Sequence, residues 1–189
     1  MKKIMLILSG VSGSGKDTIK NKLIEKNPNF TTLKSFTTRE RRINEAENEN
    51  YFFVSKEEFE NKIQNNEFYE YSSHHNNYYG TEKKQLDSIL ESGKIIVKDI
   101  DVNGTEALEK IFKDTDIQVI SIFLNVSKEE LAFRLSNRDD KLTKEQIDIR
   151  LGRYDYEVSK MYIYTYAITN NDLDKTIEII QKILEIETR

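Results

Sequence analysis

The string GVSGSGK at positions 10–16 follows the apolar run IMLIL and precedes DTIKNKLIEKN, in which Ile19, Leu23 and Ile24 recur at helical spacing. An apolar strand, a glycine loop and a helix in that order leave few folds open. The pattern G-x-x-x-x-G-K has a physical logic. Glycines allow backbone conformations that turn successive N–H groups toward one anion, and the helix N-terminus adds its partial positive charge. Lys16 then supplies a point charge reaching the β- and γ-phosphates of a bound nucleotide. The next position, where the general motif has a Ser or Thr for Mg²⁺, is Asp17, followed by Thr18. Thr18 is expected to serve the metal, directly or through water, while Asp17 favours the helix start electrostatically. Which of the two replaces the usual hydroxyl is left open.

Residues 3–8 are apolar on both alternating faces, as in a parallel strand covered by helices on both sides. Residues 94–101 and 118–124 read as two further buried strands, with a helix over about 102–113 between them. Two helical stretches follow, each opened by a capping-box pattern: Ser127/Glu130, and Thr143/Gln146 running on to Met161. Residues 162–169 read as a strand by their β-branched and aromatic content, and 172–187 as a closing amphipathic helix. Such alternation predicts an α/β fold, a parallel sheet flanked by helices. Residues 35–82 interrupt it. There a polar stretch precedes YFFV, a helix opened by Ser55/Glu58, and two aromatic strands around the turn HHNN, which predicts a small mixed β insert. His74 and His75, with no matching carboxylate or Cys cluster, read as turn residues.

Composition removes several function classes. The chain of 189 residues has no cysteine, which excludes a disulfide scaffold, a Cys-ligated zinc site and a thiol nucleophile. With 29 Lys+Arg against 33 Asp+Glu the net charge is −4, which argues against general nucleic-acid affinity. The N-terminal apolar run is too short for a signal-peptide core, and no stretch approaches a membrane span. A cytoplasmic protein with neither membrane nor nucleic-acid partners is expected. Its length predicts a single domain, as a monomer or homodimer.

The segments SFTTRERR (35–42), Tyr51, EEF (57–59), NNEFYEY (65–71), NNYYGT (76–81) and DIDVNG (99–104) resemble guanylate kinase in order and spacing. The likeness continues through FRLSNR (133–138), IRLGRY (149–154) and TNNDLD (169–174), nearly end to end. It implies a phosphate-loop NTPase sheet as core (1–34, 83–125 and 160–189), with a GMP-binding insert (35–82) and a helical lid (126–159). The implied reaction moves the γ-phosphoryl of ATP to GMP or dGMP, with Mg²⁺ accompanying ATP, in purine nucleotide metabolism.

The resemblance also implies roles. Gly10, Val11, Ser12, Gly13, Ser14, Gly15, Lys16, Asp17 and Thr18 would hold ATP, with Asn170 beside the adenine. The GMP phosphate would be held by Arg39, Arg42, Tyr51 and Tyr79, since guanidinium forks pair bidentately with phosphate oxygens. Taken alone, Arg39, Arg41 and Arg42 would read as a solvated basic run. The family often has Pro where Arg41 stands. Guanine would be read by Ser35, Glu70, Thr81 and Asp101, a carboxylate suiting its N1–H and amine donors and hydroxyls its O6 and N7. Asp99 and Asp101 lie two apart and share a face, so both could point into one site. Asp99 with Thr18 is the expected metal pair, but which Asp serves metal and which guanine stays open. Lys16, Arg39, Arg138 and Arg150 would neutralise the transferring group, while Arg134 and Arg153 read equally well as a solvated helix face. Two rivals remain: a peptide-binding module of the same fold, expected to have a damaged loop, and a kinase for another phosphorylated acceptor, which would not need Glu70, Thr81 and Asp101 together.

Overall fold

The computed structural model describes residues 2–41, 51–74, 76–137 and 142–189. Five parallel strands form the central sheet in the order β2 (Phe30–Thr32), β7 (Ile95–Asp99), β1 (Lys3–Ser9), β8 (Ile117–Asn125) and β9 (Tyr166–Thr169). The two-sided apolar run of β1 is explained by what covers it. Ile4, Leu6 and Leu8 pack on Ile19 and Leu23 of α1 (Lys16–Lys26) and on Ile177 and Ile180 of α8 (Leu173–Glu187). Met5 and Ile7 pack on Leu86 and Leu90 of α3 (Lys83–Glu91) and on Leu108 and Phe112 of α4 (Val102–Phe112). Each such buried side chain contributes roughly 1.5–3 kcal/mol by leaving water. The α/β class expected from the sequence is the class observed.

The insert is a second, four-stranded sheet in the order β4 (Tyr51–Phe53), β3 (Ser35–Thr37), β6 (Asn77–Glu82) and β5 (Phe68–His74). It is mixed: β3 and β4 run parallel, whereas β6 is antiparallel to both β3 and β5. Phe59 of α2 (Lys56–Gln64) stacks on Phe68 and Tyr78 to give the insert its own small core. The α2 capping box is complete, Glu58 N donating to Ser55 Oγ and Ser55 N to Glu58 Oε2. The hairpin closes on the pair His74↔Asn77, with Asn76 at φ 62; His75 lies outside the described residues. A bulge between Phe68 and Glu70 releases Tyr69 toward the central domain, where its hydroxyl donates to Asp87 and its ring meets Phe112.

Three features depart from the sequence expectation. The stretch from Thr143 is two helices, α6 (Lys144–Gly152) and α7 (Tyr154–Ser159), hinged at Arg153 beside Gly152, a residue that weakly supports helix. Of residues 162–169 only the last four are strand. Met161–Ile163 form a 3₁₀ turn, and Tyr164 plugs the space beneath the glycine loop, donating to Ser9 Oγ at 2.8 Å. Aromatic content marked this segment as β, but here the rings fill a core instead. Lastly, β2 and α3 were not among the expected elements: β2 has three residues, and no side chain caps α3, although Leu86, Ile89 and Leu90 recur at helical spacing. Among the described residues no helix is long and apolar enough to cross a membrane.

Candidate active site

A cleft of about 610 Å³ opens between the C-terminal ends of β1 and β7, the insert, and the helices following β8. Its floor is the glycine loop. Gly10 has φ +134, and a Cβ there would lie 2.4 Å from the Leu124 carbonyl oxygen. Only glycine fits that close backbone approach. Gly15, φ +94, is the N-cap of α1, so the first N–H groups of the helix open onto the cleft. Lys16 Nζ lies back across the loop, donating to the carbonyls of Gly10 at 2.6 Å and Val11 at 3.1 Å. Burial lowers its pKa against the opposing pull of Glu157, Asp17, Asp99 and Asp101. An arriving phosphate would stabilise that ammonium.

Of the loop residues expected to meet phosphate, Gly10, Ser12, Gly13, Gly15, Lys16, Asp17 and Thr18 line the cleft, while Val11 and Ser14 are buried behind it. Asn170 is not on the cleft wall. Its amide donates to the Ser14 carbonyl at 2.7 Å and accepts from the Thr176 hydroxyl, which makes it a brace of the loop from behind. Arg134, on α5 (Lys128–Ser136), is a second brace. It donates to the Asn170 carbonyl at 2.8 Å while Glu130 holds its Nε. Arg150 on α6 reaches over the loop, its Nη1 donating to Ser12 Oγ at 2.6 Å. Arg138 lies outside the described residues.

The facing wall comes from the insert. Pairing in register brings Ser35 beside Tyr51, and Glu70 beside Thr81. Ser35, Tyr51, Glu70 and Tyr79 line the cleft, and so does Ser72, which no motif marked. Thr81 is fully buried, and its hydroxyl donates to the Glu70 carboxylate, so it holds Glu70 in place rather than facing the opening. As register partners the two side chains project from the same face of the insert sheet, Glu70 at the cleft and Thr81 packed against its carboxylate. Burial, with the charges of Asp99 and Asp17 adding to it, pushes the Tyr51 phenol well above its usual pKa, so Tyr51 remains a donor. Arg39 stacks over the Tyr51 and Phe53 rings at 5.4 and 5.5 Å and is not on the wall. Arg42 lies outside the described residues.

Asp99 and Asp101 both reach the cleft. Asp101 also N-caps α4, accepting from Gly104 N at 2.8 Å. Asp99 is paired with Lys20, which is almost wholly buried and also contacts Asp17 at 3.4 Å. Burial would raise the Asp99 pKa, but the Lys20 charge outweighs it and the carboxyl stays below its ordinary range. Among the described residues no cluster of three or more His, Asp or Glu could hold a metal by itself. A nucleotide-borne Mg²⁺ needs no such cluster, since it keeps waters and phosphate oxygens and takes one or two protein ligands. An ionised Asp99 and an exposed Thr18 hydroxyl on the cleft wall fit that requirement.

Four residues escaped the sequence reading: Lys20, Ser72, Lys98 and Glu157. Lys98 had a signal, a charged residue inside the buried strand IIVKD. It is 1% exposed, and its Nζ donates to Ser35 Oγ at 2.8 Å. Burial lowers its pKa, while Glu70 and Asp99 pull the other way. Glu157 is buried on α7 and forms an ion pair with Arg153 at 3.4 Å.

A parallel sheet whose central strand runs through a glycine loop into a helix, with a hydroxyl- and carboxylate-lined insert facing that loop, defines a phosphate-loop nucleotide-binding protein of the kinase type. The family model described as guanylate kinase matches residues 2–187. Over 184 residues the chain is 35% identical to the guanylate kinase of Prochlorococcus marinus subsp. pastoris, covering 97% of each. It is 40% identical to that of Helicobacter pylori over 95% of this chain and 85% of that protein. The crystal structure of guanylate kinase from Anaplasma phagocytophilum superposes with a TM-score of 0.78 at 31% identity, over 97% of this chain and 85% of that one. The chain belongs to the guanylate kinase family.

Proposed function

We propose that this chain transfers the γ-phosphoryl of ATP to GMP, with dGMP as a second acceptor, giving ADP and GDP in cytoplasmic purine nucleotide metabolism. One observation carries the reading. A single cleft has a phosphate loop on its floor and, on the facing wall, a carboxylate flanked by hydroxyl and phenol groups. In this reading ATP lies on the loop with its phosphates toward Lys16 and the start of α1. GMP lies on the insert, its base toward Glu70 and Ser35 and its phosphate toward Tyr51, Tyr79, Arg39 and Arg42. Residues 35–82 then act as the acceptor domain and 126–159 as the lid.

The chemistry asks for no general base and no covalent nucleophile. A phosphate oxygen of GMP is already nucleophilic, and catalysis is positioning together with stabilisation of charge spread over the transferred group. Lys16 and the α1 N-terminus would meet that charge from the loop. Arg150 and Arg138 would meet it from the lid, and Arg39 from the acceptor side. Arg134 and Asn170 would keep the loop carbonyls turned away from the phosphates. Asp99 and Thr18 would hold the Mg²⁺ that accompanies ATP, directly or through water, and that ion supplies charge neutralisation when bound.

An acceptor screen with ATP–Mg²⁺ and the four common nucleoside monophosphates tests the assignment. GMP is expected to turn over far faster than AMP, CMP or UMP. Equal rates with AMP would overturn it.

A further inference from the structure

Lys98 is a fully buried lysine near the C-terminal end of core strand β7. It pairs in register with Ile7 of β1 and shares its sheet face with Ile96, among Met5, Leu86 and Leu108. A charged group is costly in that setting unless it is partnered. Its ammonium leaves the central sheet and crosses to the insert, where it donates to Ser35 Oγ at 2.8 Å. Ser35 stands on the cleft wall with Glu70.

We propose that Lys98 is a specificity-setting positioning residue of the acceptor site, fixing the Ser35 hydroxyl as a donor toward a carbonyl at position 6 of the bound purine. The inference rests on the acceptor reading given above. A serine hydroxyl has one proton and two lone pairs, whereas an ammonium only donates. The Lys98 bond therefore occupies a lone pair of Ser35 and leaves its proton for the cleft. Glu70, accepting from Thr81 on one side, offers acceptors only. Ser35 and Glu70 together then present a donor followed by acceptors. A 6-oxo purine with N1–H matches that order. A 6-amino purine opposes it at both positions, and the positive charge behind Ser35 further disfavours its amine. Lys98 touches no substrate in this scheme and acts through Ser35.

The test compares Lys98→Met, Ser35→Ala and the double variant, using GMP, IMP and AMP as acceptors and ATP as donor. Replacing a buried charge with a side chain of similar length should leave the thermal midpoint unchanged or raised. Catalytic efficiency with GMP is nevertheless expected to fall about 10-fold, the worth of one hydrogen bond to a charged or polarised group. IMP should lose the same factor, because it shares the 6-oxo group and lacks only the amine. KM for ATP should stay within about twofold, and the GMP-to-AMP preference should drop about 10-fold. The double variant should be no worse than Ser35→Ala alone, since the two residues act in series. An unchanged GMP-to-AMP ratio, or losses that add in the double variant, would overturn the inference. Should Lys98→Met not fold, Lys98→Leu carries the same comparison, again with no donor to Ser35. The parent enzyme is measured first: no preference for GMP over AMP there overturns the acceptor assignment itself, a failure distinct from any behaviour of the variants.

Discussion

Lys20 Nζ lies 2.5 Å from Asp99 Oδ1, an ion pair that ties the first turns of α1 to the end of β7 at the base of the cleft. The lysine side chain is 4% exposed and the aspartate 21%. Removing one partner of a buried pair costs about 3–5 kcal/mol, because the other charge stays buried without its counterion. Lys20→Met is therefore expected to lose about 3 kcal/mol near neutral pH, the low end because Asp99 keeps some water contact. Asp99 titrates below the ordinary value of 3.8 in the fold. Its contribution is thus present above that value and is lost as pH falls through the lower folded one. Urea unfolding of parent and variant should show a steady gap at neutral pH that narrows in acid as the Asp99 carboxyl of the variant, no longer held down by Lys20, protonates ahead of the parent's. Equal midpoints at neutral pH would show that the pair adds nothing.

Lys16→Ala should keep the fold and lose the chemistry. The Lys16 side chain makes only two bonds to loop carbonyls, and no apolar core depends on it. A charge contact to the transferring group is worth about 10²–10³ in rate. Turnover should fall by about that factor with the circular dichroism spectrum and thermal midpoint close to the parent. A variant retaining more than about a tenth of parental turnover would remove Lys16 from the mechanism.

Glu70→Gln should harm guanine recognition and spare ATP. The carboxylate can accept from both N1–H and the exocyclic amine, whereas Gln offers one carbonyl and sets an NH₂ against a donor. Thr81 would still have an acceptor in the Gln carbonyl, so the insert should stay folded. Losing two such bonds at about 1.5 kcal/mol or more each predicts a loss of about 10²-fold or more in GMP efficiency. KM for ATP should remain within about threefold. Steady-state kinetics decide the point: undiminished GMP efficiency would place base recognition elsewhere.

Gly10→Ala tests the loop geometry itself. The added methyl would sit 2.4 Å from the Leu124 carbonyl oxygen and 2.9 Å from Ser14 Oγ, at a φ of +134 that side chains disfavour. Backbone strain of this kind costs about 1–3 kcal/mol before the clash is relieved. A fall of at least about 2 kcal/mol in unfolding free energy, with loss of ATP binding, is expected. A thermal midpoint equal to the parent's would mean that the loop approaches β8 less closely.

Much of the architecture was legible because its signals are local. The two-faced apolar run of β1, the glycines at 10, 13 and 15, and the capping patterns at Ser55 and Thr143 each state a backbone preference within a few residues. The mistakes were local signals overruled by packing. Tyr164 has a strand-forming side chain, yet it fills the space under the loop and bonds to Ser9. Gly152 sits inside a helical period and marks its break instead. Three-residue β2 is too short to display alternation at all.

The sequence by itself determined the strand–loop–helix that can hold phosphate, the alternating α/β order, and which acidic, basic and hydroxyl groups stand ready at matching intervals. Those are properties of short segments, fixed by φ preference and hydrophobic period. Which side chain serves which was decided only when distant segments met. Lys98 finds Ser35, Lys20 finds Asp99, and Arg150 finds Ser12 across most of the chain. Thr81 finds the Glu70 carboxylate, and Asn170 the Ser14 carbonyl behind the loop. Such hydrogen-bonded contacts form at about 3 Å, so their partners are set by where the sheet brings the backbone, a distance that no spacing along the chain encodes.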